Sequence, residues 1–183
     1  MQPSNTKTHH TAVVAIPPPQ VWEPIQAIRQ RHDRHVQRWM PHITLLYPFM
    51  PRRRFTDAVS RLTVACARLT SFHLTLARFG FFPHGRNNAT LWLAPEPPEG
   101  LVALQATLQA SFPDYDDVSR YAGGFTPHLS VGQSHSVAAR QHVLDDLQAT
   151  WQPLHFQLTA VTLIWRQGSE PFQSYASFPF ASL

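Results

Sequence analysis

Apolar and polar positions alternate along this chain in short runs, and prolines and glycines cut the runs apart. Thr11–Ile16 is apolar at nearly every position, which predicts a buried strand, and Pro17-Pro18-Pro19 ends it. Val21, Ile25 and Ile28 then recur at helical spacing and predict an amphipathic helix over 20–34, with Pro24 tolerable only in its first turn. A strand follows within Trp39–Phe49, opened by Pro41 and closed by Pro48. Val59, Leu62, Cys66 and Leu69 share one side of a helix over 55–69. Residues 71–82 and 89–94 alternate as two strands of a hairpin, with Gly80 marking a bulge. A helix over 101–112, an acidic loop over 113–124 and a short strand from Pro127 come next. A helix over 136–151 takes its cap from Ser134 or Ser136. Strands over 154–165 and 172–180 finish the chain.

Two stretches in this pattern repeat one phrase. Pro41-His42-Ile43-Thr44-Leu45 and Pro127-His128-Leu129-Ser130-Val131 both run proline, histidine, aliphatic, hydroxyl, aliphatic. Each is followed by a helix, a long strand, a turn and another strand. Phe72-His73-Leu74-Thr75-Leu76 also resembles Leu154-His155-Phe156-Gln157-Leu158. The order predicts an internal duplication, with the two phrases facing each other across a central cleft. The repeat therefore predicts two copies of an αβ unit. A loose tail is expected over 1–10 and one domain of two pseudo-symmetric lobes over 11–183.

Composition narrows the picture modestly. The 183 residues, 43% hydrophobic, suffice for a packed core. The net charge is +4, and nearly all the cationic residues are arginines, which grip phosphate with a planar fork. The single cysteine, Cys66, excludes an intramolecular disulfide, fits a reducing cytoplasm and reads as a small core residue. No run of 18 apolar residues suggests a membrane span. His32 and His35 lie three apart, but no further ligands accompany them, so a solvated helix face is the better reading than a metal site.

The chemistry sits in the phrases. Side chains in a strand alternate between faces, so His42 and Thr44 share a face, as do His128 and Ser130. An imidazole takes or gives a proton near neutral pH, and the hydroxyl beside it donates to an oxyanion. Two such pairs brought together supply an acid, a base and two oxyanion contacts around one small anion.

These paired phrases resemble those of the 2H phosphoesterase superfamily, and within it the 2′-5′ RNA ligase-like proteins. The likeness is carried by Pro-His-Ile-Thr-Leu-Leu-Tyr-Pro-Phe and Phe-Thr-Pro-His-Leu-Ser-Val-Gly-Gln, with support from Phe-Gly-Phe-Phe-Pro and Leu-Trp-Leu-Ala-Pro. It implies a bilobal α+β fold of duplicated αβ units, with an antiparallel sheet in each lobe and the histidines in the groove between. It implies an enzyme that opens RNA or nucleotide 2′,3′-cyclic phosphates to 2′-phosphates without metal or cofactor, some members also joining RNA ends reversibly through a 2′-5′ bond; a cytoplasmic monomer is expected. His42 and His128 are then catalytic, and Thr44 and Ser130 bind phosphate. Gln133 stands where several members carry a basic residue, so the charged contact is expected from Arg52, Arg53 or Arg54, from Arg120 or from Arg166. Tyr47, Phe49, Phe81 and Phe125 are candidates to stack on bases. Strict alternation puts Tyr47 and Phe49 on the face opposite His42 unless a bulge turns them. The rival readings are a non-catalytic RNA-end-binding protein and a phosphodiesterase for a small cyclic phosphate such as an ADP-ribose derivative.

Overall fold

The computed structural model describes residues 6–181. Eight strands form one antiparallel sheet in the order β6-β3-β4-β5-β2-β1-β7-β8. They are β1 (Thr11–Ala15), β2 (Ile43–Leu46), β3 (Phe72–His84), β4 (Asn88–Glu96), β5 (Leu129–Ser134), β6 (Leu154–Leu158), β7 (Ala160–Trp165) and β8 (Gln173–Pro179). The helices are α1 (Trp22–His32), α2 (Phe55–Cys66), α3 (Glu99–Ser111) and α4 (Val137–Thr150). The two halves expected from the repeat are four strands each, hydrogen-bonded into a single sheet. Their junction is narrow: β2 and β5 meet in register only at Ile43↔Leu129.

Binary patterning places the core. Val13 and Ala15 of β1, Ile43 and Leu45 of β2 and Leu129 and Val131 of β5 point into one large cluster, which the helices complete with Ile25, Leu62, Leu104 and Leu144. Ala12 and Val14 point the other way, into a smaller cluster with Ile164 and Phe172 beside Trp39, Met40 and Tyr47. β1 is thus buried on both faces, which is why its sequence is apolar without alternation. Cys66 is fully buried, and burial pushes its thiol up to about 11, so it behaves as a small hydrophobe. Ser136 accepts from the Ala139 N–H and is the cap of α4. Among the described residues no helix is long and apolar enough to cross a membrane.

Four expectations change. Residues 154–165 are two strands, not one. The chain breaks at Thr159, so β6 joins the edge beside β3 while β7 joins β1 in the other half. The two similar segments, Phe72–Leu76 and Leu154–Leu158, therefore pair with each other, and β7 occupies the place equivalent to β3. Gly80 marks no bulge; the irregularity in β3 lies between Leu76 and Arg78. A Cβ on Gly80 would instead come within 2.6 Å of the Trp92 ring. Residues 1–5 of the expected tail lie outside the described residues, and the rest of it is tied down. Thr8 exchanges backbone hydrogen bonds with Phe49 at 2.8 and 3.1 Å, and Lys7 pairs with Asp116 at 3.6 Å and with Asp117.

Candidate active site

The antiparallel register around Ile43↔Leu129 decides which side chains meet. It sets His42 opposite Ser130 and Thr44 opposite His128, all four on the face away from the helices. Directly opposite residues in such a pair have Cβ atoms about 4.5–5.5 Å apart, and diagonal ones about 7–8 Å. The four groups form a square with the imidazoles on one diagonal and the hydroxyls on the other. Among the described residues, neither hydroxyl is held by a protein partner.

Each imidazole is oriented in the same way. His42 Nδ1 lies 2.7 Å from the Met40 carbonyl oxygen, two residues back, and His128 Nδ1 lies 2.9 Å from that of Thr126, also two back. A carbonyl only accepts, so Nδ1–H donates in both, and Nε2 is the nitrogen left for chemistry. Burial holds both pKa values below the ordinary 6.5. For His42 it brings the value to about 4, and the nearby Arg29 and His128 charges act in the same direction. For His128 burial likewise wins over the Thr126 hydrogen bond.

Aromatic rings buttress the pair. Trp39 stacks on His42 at 4.7 Å and on Phe172 at 3.7 Å between ring centroids. Phe82 meets His128 edge-on at 4.9 Å, and Trp92 lies 6.3 Å from it. None of the three stood out in the sequence as a site residue. Parity along β3 and β4 was the available signal, because Trp92 pairs with Ser130 and Gly80 with Trp92, which puts Phe82 on the histidine face. Gly80→Ala should therefore displace the Trp92 ring toward His128. We expect a stability loss of about 1–3 kcal/mol by urea titration, accompanied by a fall in catalytic turnover.

Beside the square lies a groove of about 350 Å³ lined by Thr44, His128, Tyr47, Phe125, Asp117 and Tyr121. Tyr47 reaches it because β2 carries a bulge. Val14 pairs with Thr44 and Val13 with Leu46, so Leu45 is an extra residue that turns everything after it. β5 carries the same bulge at the same place in its phrase, with Trp92 paired to Ser130, Leu91 to Gly132 and Val131 extra. The fifth residue after each histidine, Tyr47 or Gln133, is thereby swung to the opposite face from the one strict alternation predicts.

The remaining sequence candidates separate. Phe125 lines the groove. Phe49 does not, being fully buried against Phe112 and Tyr115, because Thr8 draws that residue into the core. Phe81 points away toward α4, where the Arg140 guanidinium sits 4.6 Å from its ring; Phe82 holds the place expected for it. Gln133 is occupied: its amide donates to Asp33 at 3.0 Å and its oxygen accepts from the Arg34 N–H at 3.0 Å. It holds the end of α1 to β5 rather than facing a ligand. Asp33 is in turn paired with Arg29 at 2.9 Å, both nearly inaccessible. Arg54 pairs with Asp57 and Arg120 with Asp116, so both are compensated. Arg53 is exposed on the turn before α2. Arg52 lies across the Trp165 ring, outside the groove. Arg166 is the candidate cation whose field reaches the groove, where it favours the ionised form of Tyr47, although burial still raises that phenol above its usual value. No cluster of three or more His, Cys, Asp or Glu side chains among the described residues could hold a metal.

The chain is similar to known proteins over most of its length. The sequence model of the 2′-5′ RNA ligase superfamily matches residues 17–170. A Bacillus anthracis protein whose name places it provisionally among phosphoesterases is 28% identical over 137 residues, covering 74% of this chain and 76% of the relative. The crystal structure of Escherichia coli LigT with 3′-AMP superposes with a TM-score of 0.64 at 19% identity, covering 97% of this chain and all of LigT. The crystal structure of a Thermus thermophilus protein does so at 0.63 and 17%, covering 93% of this chain and 97% of its own.

Proposed function

Since the chain belongs to the 2′-5′ RNA ligase superfamily, and so to a family of phosphoesterases, we propose that it hydrolyses 2′,3′-cyclic phosphates of RNA or nucleotides to 2′-phosphates by paired histidine acid–base catalysis. The observation that carries this reading is the matched orientation of the two imidazoles, each with Nδ1 tied to the carbonyl two residues back. The LigT structure with 3′-AMP supports a nucleotide as the substrate class.

In the reaction a water oxygen attacks phosphorus as its proton passes to the neutral Nε2 of one histidine. The P–O3′ bond breaks opposite, and the departing O3′ takes a proton from the imidazolium of the other. The product is a 2′-phosphomonoester with a free 3′-hydroxyl. Thr44 and Ser130 donate to the non-bridging oxygens, whose charge grows in the transition state; one such donor is worth about 10²–10³-fold in rate. His42 is the base. Burial holds it neutral, and the Arg29 and His128 charges add to the opposition to a proton on it. His128 is the acid, and the anionic phosphate stabilises its imidazolium once substrate is bound.

The test is chromatographic: each nucleoside 2′,3′-cyclic phosphate is incubated with the protein in the presence of a chelator. Conversion to the 2′-phosphate is expected. No turnover, or a 3′-phosphate product, would overturn the proposal. The pH profile adds a second check. The base must have lost its proton, which for His42 holds above a pH of about 4. The acid must keep its own, which for His128 holds only below a value under 6.5. The free-enzyme profile, kcat/KM, should therefore be a bell lying on the acidic side of neutrality. The alkaline limb of kcat should lie higher, because bound phosphate favours the charged acid.

A further inference from the structure

A second hollow, of about 360 Å³, adjoins the groove and is not used by the mechanism. Arg52, Trp165, Arg166, His10, Thr8 and Gly168 line it. Two of these residues are arginines. The Arg52 guanidinium carbon lies over the Trp165 ring, 3.7 Å from the centroid. Among the described residues it has no carboxylate partner. Contact with the ring restrains the guanidinium, and among the described residues none of its N–H groups has a partner, which leaves them for bidentate contact with phosphate. Arg166 donates to the Gly168 carbonyl across a turn in which Gly168 has φ +53°, while its Nε is buried with no partner. Neither Asp nor Glu lines the hollow.

The hollow and the groove share one wall, the segment over residues 8–10. His9 lines the groove, whereas Thr8 and His10 line the hollow. The Tyr47 hydroxyl, on the groove side, donates to the His9 carbonyl at 3.4 Å. The Arg166 backbone N–H, on the other side, donates to the His10 carbonyl at 2.9 Å.

We propose that Arg52 and Arg166 form a second phosphate site, which takes a phosphate group other than the one undergoing hydrolysis. Two sources share this chemistry: the next phosphate of a substrate longer than one nucleotide, and free phosphate. The first rests on the hydrolase reading above; the second does not.

Two measurements on the full chain decide. In the first, inorganic phosphate is titrated while the Trp165 indole N–H resonance is followed, assigned with Trp165→Phe. The resonance should move in the wild type and stay fixed in Arg52→Ala; an unmoved wild-type resonance overturns the site. In the second, kcat/KM is compared for a dinucleotide and a mononucleotide, both ending in a 2′,3′-cyclic phosphate. Loss of one charge-assisted phosphate contact should lower the dinucleotide-to-mononucleotide ratio about tenfold in Arg52→Ala. Arg52→Lys should recover only part of it, since lysine keeps the charge but not the fork. A lowered ratio assigns the site to the substrate's own second phosphate. An unchanged ratio with a phosphate-sensitive resonance assigns it to free phosphate. If neither substrate turns over while the resonance still moves, the hydrolase reading fails and the site stands.

Discussion

His42→Ala and His128→Ala are each expected to lower kcat by about 10²–10⁴-fold, the range for loss of one positioned proton-transfer group. The double variant should be little worse than either single one. In-line displacement needs both transfers at one phosphorus, so removing the second group from a site that has lost the first has little left to remove. The two variants should differ in pH dependence. Without His42 the acidic limb disappears; without His128 the alkaline limb does. Neither residue is fully buried, so the fold should survive, as far-UV circular dichroism would check. His42→Ala also leaves the Trp39 face uncovered, so His42→Gln is the companion that keeps most of the volume. Substantial turnover in either alanine variant would end the paired-histidine account.

The largest stability effect should come from Asp33→Ala. Asp33 accepts from Arg29, Gln133 and the His35 N–H at 2.8–3.0 Å, and these bonds, with the Arg29 charge, hold its carboxyl below the usual range despite burial. The variant leaves the Arg29 guanidinium, 2% exposed, without a counter-charge. A broken buried pair of this kind costs about 3–5 kcal/mol, which urea denaturation would read as a lower midpoint at unchanged slope. Replacing both partners, as in Arg29→Met with Asp33→Leu, should be less harmful than Asp33→Ala alone. Catalysis should suffer too, because Asp33 opposes the effect of Arg29 on His42. The unbalanced arginine would depress His42 further and weaken it as a base. A midpoint within experimental scatter of the wild type would show that the pair is not stabilising.

The sequence made the phrases legible because a two-residue period, framed by prolines, leaves little choice about which residues share a face. It therefore placed His42 with Thr44 and His128 with Ser130. It failed where one residue changes parity. Leu45 and Val131 are ordinary apolar strand residues, and only the second has beside it a glycine, Gly132, of the kind that often announces a bulge. Tyr47 and Phe49 consequently looked alike, although one lines the groove and the other fills the core. The same difficulty exchanged Phe81 for Phe82. The break at Thr159 was invisible because both sides of it have strand composition. The packing role of Gln133 was hidden, since composition does not reveal a partner a hundred residues away at Asp33.

The matching bulges in β2 and β5 have an evolutionary corollary. A half-length ancestor, mating edge to edge with its own twin, would present two identical fifth positions and two identical bases. Once both copies lie on a single polypeptide, that equality is no longer enforced. Tyrosine on one side and glutamine on the other, with the Arg29 charge bearing on one imidazole and not its counterpart, are divergences that fusion permits and a symmetric homodimer forbids.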